Sequence, residues 1–179
     1  LDLACGPGAI SQRLLTRFPQ ARSIALDYNP VLLHLGQQTL GTMDGRLSWI
    51  TQSLTEPGWV EPVAAALRQL GRTQLDAVLS TTALHWLPVE HLARVYNQLG
   101  ELVRPGGLLL NGDHMAYPPS LPVFRGLAEQ HSAQLRQAAF ADQGGEDYRQ
   151  WWEAIEQGWL AADPTLQPIF DAYHVTEQQ

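Results

Sequence analysis

The chain opens on Leu1-Asp2-Leu3-Ala4-Cys5-Gly6-Pro7-Gly8, a short apolar run that passes into a turn with two glycines. A helical pattern follows at residues 10–18, with Ile10, Leu14, Leu15 and Phe18 on one stripe. Strand, glycine turn and helix in that order decide the fold. Glycines there let the backbone turn tightly and approach a ligand closely. The helix N-terminus behind them adds unpaired N–H groups and a partial positive charge. A second landmark is Ala25-Leu26-Asp27-Tyr28-Asn29-Pro30. Asp27 ends the next strand candidate, about 20 residues beyond the glycine turn, where a doubly wound fold grips ribose hydroxyls. A carboxylate can accept from both hydroxyls at once. Asn29, with Pro30 behind it, is the better N-cap for the following helix, which leaves Asp27 for a ligand.

Working outward, short apolar runs without strict polar alternation lie at 1–4, 23–26, 47–51, 76–80 and 108–111. Such runs suit parallel strands buried on both faces. Helical patterns at 10–18, 30–40, 60–70 and 90–103 alternate with them, and Arg104-Pro105-Gly106-Gly107 stops the last. The alternation predicts an α/β domain, a doubly wound, mostly parallel sheet of five strands. Residues 113–179 read differently. Stretches 123–138 and 147–160 look helical, no convincing strand is visible, and 165–179 reads as a helix or an irregular tail. This region is expected to cover the carboxyl ends of the strands, where such a fold opens its ligand crevice. The expected division is therefore a ligand-binding core at 1–112 and a helical cover at 113–179.

Composition narrows the class. The 179 residues are 45% hydrophobic and 16% charged, a globular balance. No run approaches the roughly 20 apolar residues of a membrane span. All eleven basic residues are Arg, so an internal lysine Schiff base and the P-loop lysine are excluded. The net charge of -7 falls entirely in residues 113–179, and residues 1–112 are balanced. No basic patch marks a nucleic-acid surface, so neither DNA nor RNA is expected as a partner. One cysteine excludes an internal disulfide and a Cys-rich zinc site. The six His show no metal-ligand spacing, so no metal is expected. A cytoplasmic location is the default expectation.

Four landmarks in order resemble the class I S-adenosylmethionine-dependent methyltransferases, in the small-molecule branch of type 11/12 or trans-aconitate methyltransferase-like domains. They are residues 1–8, Ala25-Leu26-Asp27, residues 75–87 (LDAVLSTTALHWL) and residues 102–110 (LVRPGGLLL). The resemblance covers residues 1–112 and implies a Rossmann-like sheet, S-adenosyl-L-methionine as cofactor and a small-molecule methyl acceptor. It implies that Asp2 orients the glycine loop near the methionine amino group, and that Ala4, Cys5, Gly6 and Gly8 let the loop pass close to the cofactor. Asp27 would hold the ribose, and Tyr28 would lie against the adenine. Ser80, Thr81 and Thr82 would line the methionine moiety with their backbone. Ala4 stands where the family usually has its first glycine. Ser53 stands where many members place an Asp on the adenine amino group. Its hydroxyl can accept that bond without charge, and it reads equally well as a turn residue.

Methyl transfer needs alignment and exclusion of water, and needs a base only if the acceptor must lose a proton. His85 after the fourth strand and His114 after the fifth are the candidate bases, both at carboxyl ends of strands. His85-Trp86 reads also as loop packing. Two other functions share the fold. A nicotinamide-dependent oxidoreductase would need a third glycine where Ser11 stands. A non-catalytic binding protein remains open, since fold does not imply function. The chain begins inside a strand and shows five of the seven strands of the family fold, so it is expected to be part of a longer domain with an open sheet edge.

Overall fold

The computed structural model describes residues 1–113, 117–142 and 148–177. Five strands form one parallel sheet: β1 (Asp2–Leu3), β2 (Ser23–Asp27), β3 (Leu47–Thr51), β4 (Leu75–Thr81) and β5 (Val103–Gly112), in the order β3-β2-β1-β4-β5. Helices α1 (Ala9–Arg17), α2 (Pro30–Leu40), α3 (Val60–Gln69) and α4 (Val89–Leu102) connect them. The chain steps from β1 outward to β3, then returns to the other side of β1. The order therefore reverses between β1 and β4, and an open α/β sheet forms its crevice at such a reversal, outside the carboxyl ends of the strands.

The strands have the apolar character of two-sided burial. All five residues of β2 are buried. Its alternation feeds two cores, as the period of two along a strand requires. Ile24 and Leu26 join Leu3, Trp59, Val63, Val78, Val95 and Leu99 on the α3 and α4 side. Ala25 joins Cys5, Leu15, Leu33 and Leu47 on the α1 and α2 side. Trp59 is fully buried, and its indole N–H donates to Gln98 Oε1 at 2.6 Å, so its one polar group is satisfied in the core.

One detail differs from the sequence expectation. The predicted turn at 104–107 is part of β5. Leu75 pairs with Val103, and Ala77 pairs next with Leu108, so Arg104-Pro105-Gly106-Gly107 bulges opposite Asp76. Arg104 Nε donates to Asp76 Oδ1 at 2.6 Å across that bulge. Gly106 has φ +74°, and a Cβ on Gly107 would sit 3.0 Å from the Asp76 carbonyl oxygen, which explains both glycines. Of the two readings of the tail, the structure has the helix: a 3-10 turn at Pro164–Leu166 leads into Gln167–Glu177.

The chain divides into two compact units. The first holds the sheet and its four helices with the chain from Ala172; the second lies between them in sequence and ends at Asp171. The second unit is helical among its described residues, with α5 (Pro122–Arg136), a π-type turn (Gln137–Asp142) and α6 (Tyr148–Ala162) before the start of α7 (Gln167–Glu177). Trp152 and Phe170 are buried, and Trp159 meets Phe170 edge-on at 6.2 Å between ring centroids. In the first unit, β5 is an edge strand, with Leu108, Leu109 and Leu110 all exposed.

Candidate functional site

The glycine turn is held from both sides by carboxylates. Asp2 is buried, and its Oδ2 accepts from the Ser11 N–H at 2.9 Å and the Ser11 hydroxyl at 2.7 Å. Ser11 lies in the first turn of α1, where unpaired N–H groups and the helix dipole favour an anion. The Ser11 hydroxyl also lies 2.9 Å from that of Ser23 in β2. Asp2 thus ties β1 to the helix beyond the loop. Ser11, at the place of a nicotinamide fingerprint's third glycine, is part of this bond.

Asp27 holds the other side. Its Oδ2 accepts from the Gly6 N–H at 2.7 Å and its Oδ1 from the Asn29 N–H at 2.9 Å. The Tyr28 N–H also favours the ionised form. Asn29 caps α2, accepting from the N–H groups of Val31 and Leu32. The two roles at the end of β2 are therefore divided as the residue types suggested: the amide caps the helix and the acid faces the loop. Burial pushes both Asp2 and Asp27 above the usual carboxylate range, and the hydrogen bonds from Ser11, Asn29 and Gly6 pull the other way. Burial also pushes the Cys5 thiol far up, so Cys5 is a packed thiol rather than a nucleophile.

The backbone of the loop is strained where it approaches the rim. Gly6 and Gly8 have φ of +52° and +85°, and Ala4 takes φ +54° without being glycine. Thr82, a β-branched residue beyond β4, has φ +51°. Positive φ in such a residue is uncommon and costs on the order of 1–3 kcal/mol. Ala4 and Thr82 follow neighbouring strands, so the strain sits on the two sides of the switch point. Gly8 has a further reason. A Cβ there would come within 2.6 Å of the Trp49 ring, and one on Gly36 of α2 within 2.5 Å of it and 2.7 Å of the Pro7 carbonyl oxygen. Trp49, from β3, wedges between loop and helix, with its indole N–H donating to the Gly41 carbonyl at 2.8 Å. Sequence reading missed Trp49 and Gly36.

The remaining sequence candidates lie along the same rim. Ser53 follows β3 and closes a turn, its Oγ 2.7 Å from Thr55 Oγ1 and accepting from the Thr55 N–H at 3.2 Å. The Gln52 N–H donates to the Asp27 carbonyl, tying that turn to the end of β2. Tyr28 and Thr81 are exposed. Ser80 is buried, and its hydroxyl has no hydrogen-bond partner. His85 lies in a 3-10 turn at Leu84–Trp86, and its Nδ1 is 2.6 Å from Asp113 Oδ1. Asp113 was also missed, although it stands in the Asn111-Gly112-Asp113-His114 run that drew attention to its histidine. His114 lies outside the described residues.

A family model described as a methyltransferase domain matches residues 1–109. The chain belongs to that family. Among curated proteins, this methyltransferase domain is 31% identical over 123 residues to a trans-aconitate 2-methyltransferase of Deinococcus radiodurans, covering 65% of this chain and 40% of that one. It is 29% identical over 109 residues to a trans-aconitate 2-methyltransferase of an Azoarcus species, covering 61% of this chain and 36% of that one. The matches thus span about 40% or less of those relatives' length. In fold it is similar to an O-methyltransferase family protein from Burkholderia thailandensis, with a TM-score of 0.52, 24% identity, and coverage of 74% of this chain and 37% of that one.

The cofactor of this methyltransferase class is S-adenosyl-L-methionine, which supplies an electrophilic methyl group on a sulfonium. The donor set fits it. Asp27 has about four acceptor positions on its two oxygens, and three backbone N–H groups engage it. One position therefore remains for a ribose hydroxyl. The orphaned Ser80 hydroxyl at the end of β4 is the kind of buried group whose missing partner calls for an explanation such as a ligand.

Proposed function

We propose that this domain transfers a methyl group from S-adenosyl-L-methionine to a small-molecule acceptor. The observation that carries the reading is Asp27: a buried carboxylate, bonded to the glycine loop, at the end of the strand beside the switch point. In this reading Asp27 holds the ribose, Tyr28 lies against the adenine and Ser53 accepts from its amino group. The backbone of Ala4, Cys5, Gly6 and Gly8 lets the cofactor pass closely, and Asp2 keeps the loop in register with α1. Ser80, Thr81 and Thr82 line the methionine end. His85 and His114 are the candidate bases, and residues 113–179, next in sequence after the last strand, supply acceptor selection.

A small-molecule acceptor rather than a nucleic acid is supported by the charge balance of residues 1–112 and by the names of the two trans-aconitate relatives. A cytoplasmic location fits the single free cysteine. No helix among the described residues is long and apolar enough to cross a membrane. The test is calorimetric titration with S-adenosylhomocysteine beside a nicotinamide cofactor, followed by a methyl-transfer screen of small carboxylates, alcohols, phenols and amines, with trans-aconitate among them. Binding of S-adenosylhomocysteine and turnover of a small acceptor are expected. Binding of the nicotinamide cofactor instead, or of neither, overturns the reading.

A further inference from the structure

β4 and β5 are parallel neighbours with Thr81 opposite Gly112, so the loops carrying His85 and Asp113 leave the same rim of the sheet. Asp113 brings both carboxylate oxygens to His85. Oδ2 accepts from the His85 backbone N–H at 3.0 Å, and Oδ1 lies 2.6 Å from the ring Nδ1. The Asp113 side chain is 5% exposed and the imidazole 36%. An ionised carboxylate only accepts, so this contact requires a proton on Nδ1. In the neutral ring the lone pair then falls on Nε2. The ring is further held against Trp86, with centroids 4.9 Å apart. A carboxylate serving only to pin the loop would need the backbone contact alone. The ring contact sets the tautomer and orients the imidazole.

We infer that Asp113 is a positioning residue that holds His85 as a base through Nε2, and that the acceptor atom carries a proton before methylation: an alcohol, a phenol or an N–H group rather than a carboxylate. This rests on the methyl-transfer reading above. In the step, the acceptor's lone pair forms the bond to the methyl carbon as the carbon–sulfur bond breaks with its electrons left on sulfur. The acceptor's proton passes to Nε2 of His85. A carboxylate acceptor has no proton to give, and the pair would then have nothing to do.

The first readout is independent of turnover. In ¹⁵N spectra of the labelled protein, His85 is expected as the Nδ1–H tautomer. Asp113→Asn keeps the shape but has a single acceptor oxygen for two donors, and is expected to shift the ring toward the Nε2–H form. With an alcohol or phenol acceptor, His85→Gln is expected to lower kcat by about 100-fold or more, the usual worth of a positioned base. Asp113→Asn is expected to lower kcat by about tenfold with unchanged acceptor KM, a share of that same worth. Affinity for S-adenosylhomocysteine stays unchanged in both variants. A wild-type ring in the Nε2–H form overturns the inference, as does equal loss with a carboxylate acceptor. If Asp113→Asn does not fold, the wild-type tautomer and His85→Gln decide. Absence of S-adenosylhomocysteine binding in the wild type overturns the methyl-transfer reading instead, and the tautomer measurement still stands.

Discussion

The two halves of the sheet rim are built differently. On the β1–β2–β3 side, Asp2, Ser11, Ser23, Asp27 and Asn29 are all buried, and each is bonded to a neighbouring element or cap. Trp49 fills the space behind the loop to van der Waals limits. On the β4–β5 side, the His85 ring is partly open, Trp86 is 81% exposed and the edge strand shows three leucines. The first half has the preorganisation that a fixed ligand group demands. The second half has the room that a variable ligand demands. On the methyl-transfer reading proposed above, the rigid half would hold the adenosine end of the cofactor and the open half would receive the acceptor.

The strongest challenge to that contrast is a methyl group. Gly36→Ala places a Cβ against both Trp49 and the Pro7 carbonyl, and is expected to destabilise by about 3 kcal/mol, the upper range for overpacking. Urea unfolding measures it. Trp49→Leu in the same chain should restore only part, since the Pro7 oxygen is backbone. Full tolerance of Gly36→Ala would mean that the first half is not tightly packed.

Next in size is Asp27→Ala. It leaves the Gly6 and Asn29 N–H groups without their acceptor and is expected to weaken S-adenosylhomocysteine binding by about 1–3 kcal/mol. An unchanged dissociation constant sinks the ribose role.

Acid sharpens the same point. Burial raises Asp27 and Asp2, so they protonate at milder acid than an exposed carboxylate at about 3.9. A protonated Asp27 loses acceptor capacity, and cofactor affinity is expected to fall as pH drops toward that raised value. Stability runs the other way. A carboxyl raised in the folded state binds its proton more readily there, so its contribution is fullest at low pH and declines as pH rises. Asp27→Asn should flatten the binding profile, and a profile that keeps its slope removes Asp27 as the titrating group.

The smaller effects lie on the open half. A methyl group added at Gly100, in α4, would meet no atom within 4 Å, so Gly100→Ala is expected to stabilise by about 0.5–1 kcal/mol. A loss instead of a gain in urea unfolding would show that this side is also filled. Leu110→Lys on the exposed edge is expected to change stability by less than about 0.5 kcal/mol while lowering self-association in light scattering.

The residues readable from sequence were those whose partners lie at fixed local spacing. The glycine turn, Asp27 and the Asn29–Pro30 cap each announce themselves within a few residues of a strand end. The parallel α/β character followed from alternation and the crossover rules, and the strand order itself came only with the structure. Trp49 and Asp113 were not readable because their meaning is tertiary. Trp49 matters through Gly8 and Gly36, and Asp113 through His85, 28 residues earlier. Arg104-Pro105-Gly106-Gly107 was half readable: its helix-stopping chemistry is local, but its bulge opposite Asp76 is a matter of pairing with β4.

The Trp49 wedge has a consequence for how such a chain can change over generations. Neither Gly8 nor Gly36 can acquire a side chain while the indole stands between them. The indole itself is only half-buried, so shrinking it opens less than the full cavity, about 3 kcal/mol or more, that deleting an enclosed aromatic leaves. The order of substitutions matters. Trading Trp49 for a smaller residue first lowers the barrier, with Gly36 still answering to the Pro7 carbonyl and Gly8 still held by its positive φ. The three positions are therefore coupled, and a change at either glycine costs least after Trp49 has changed.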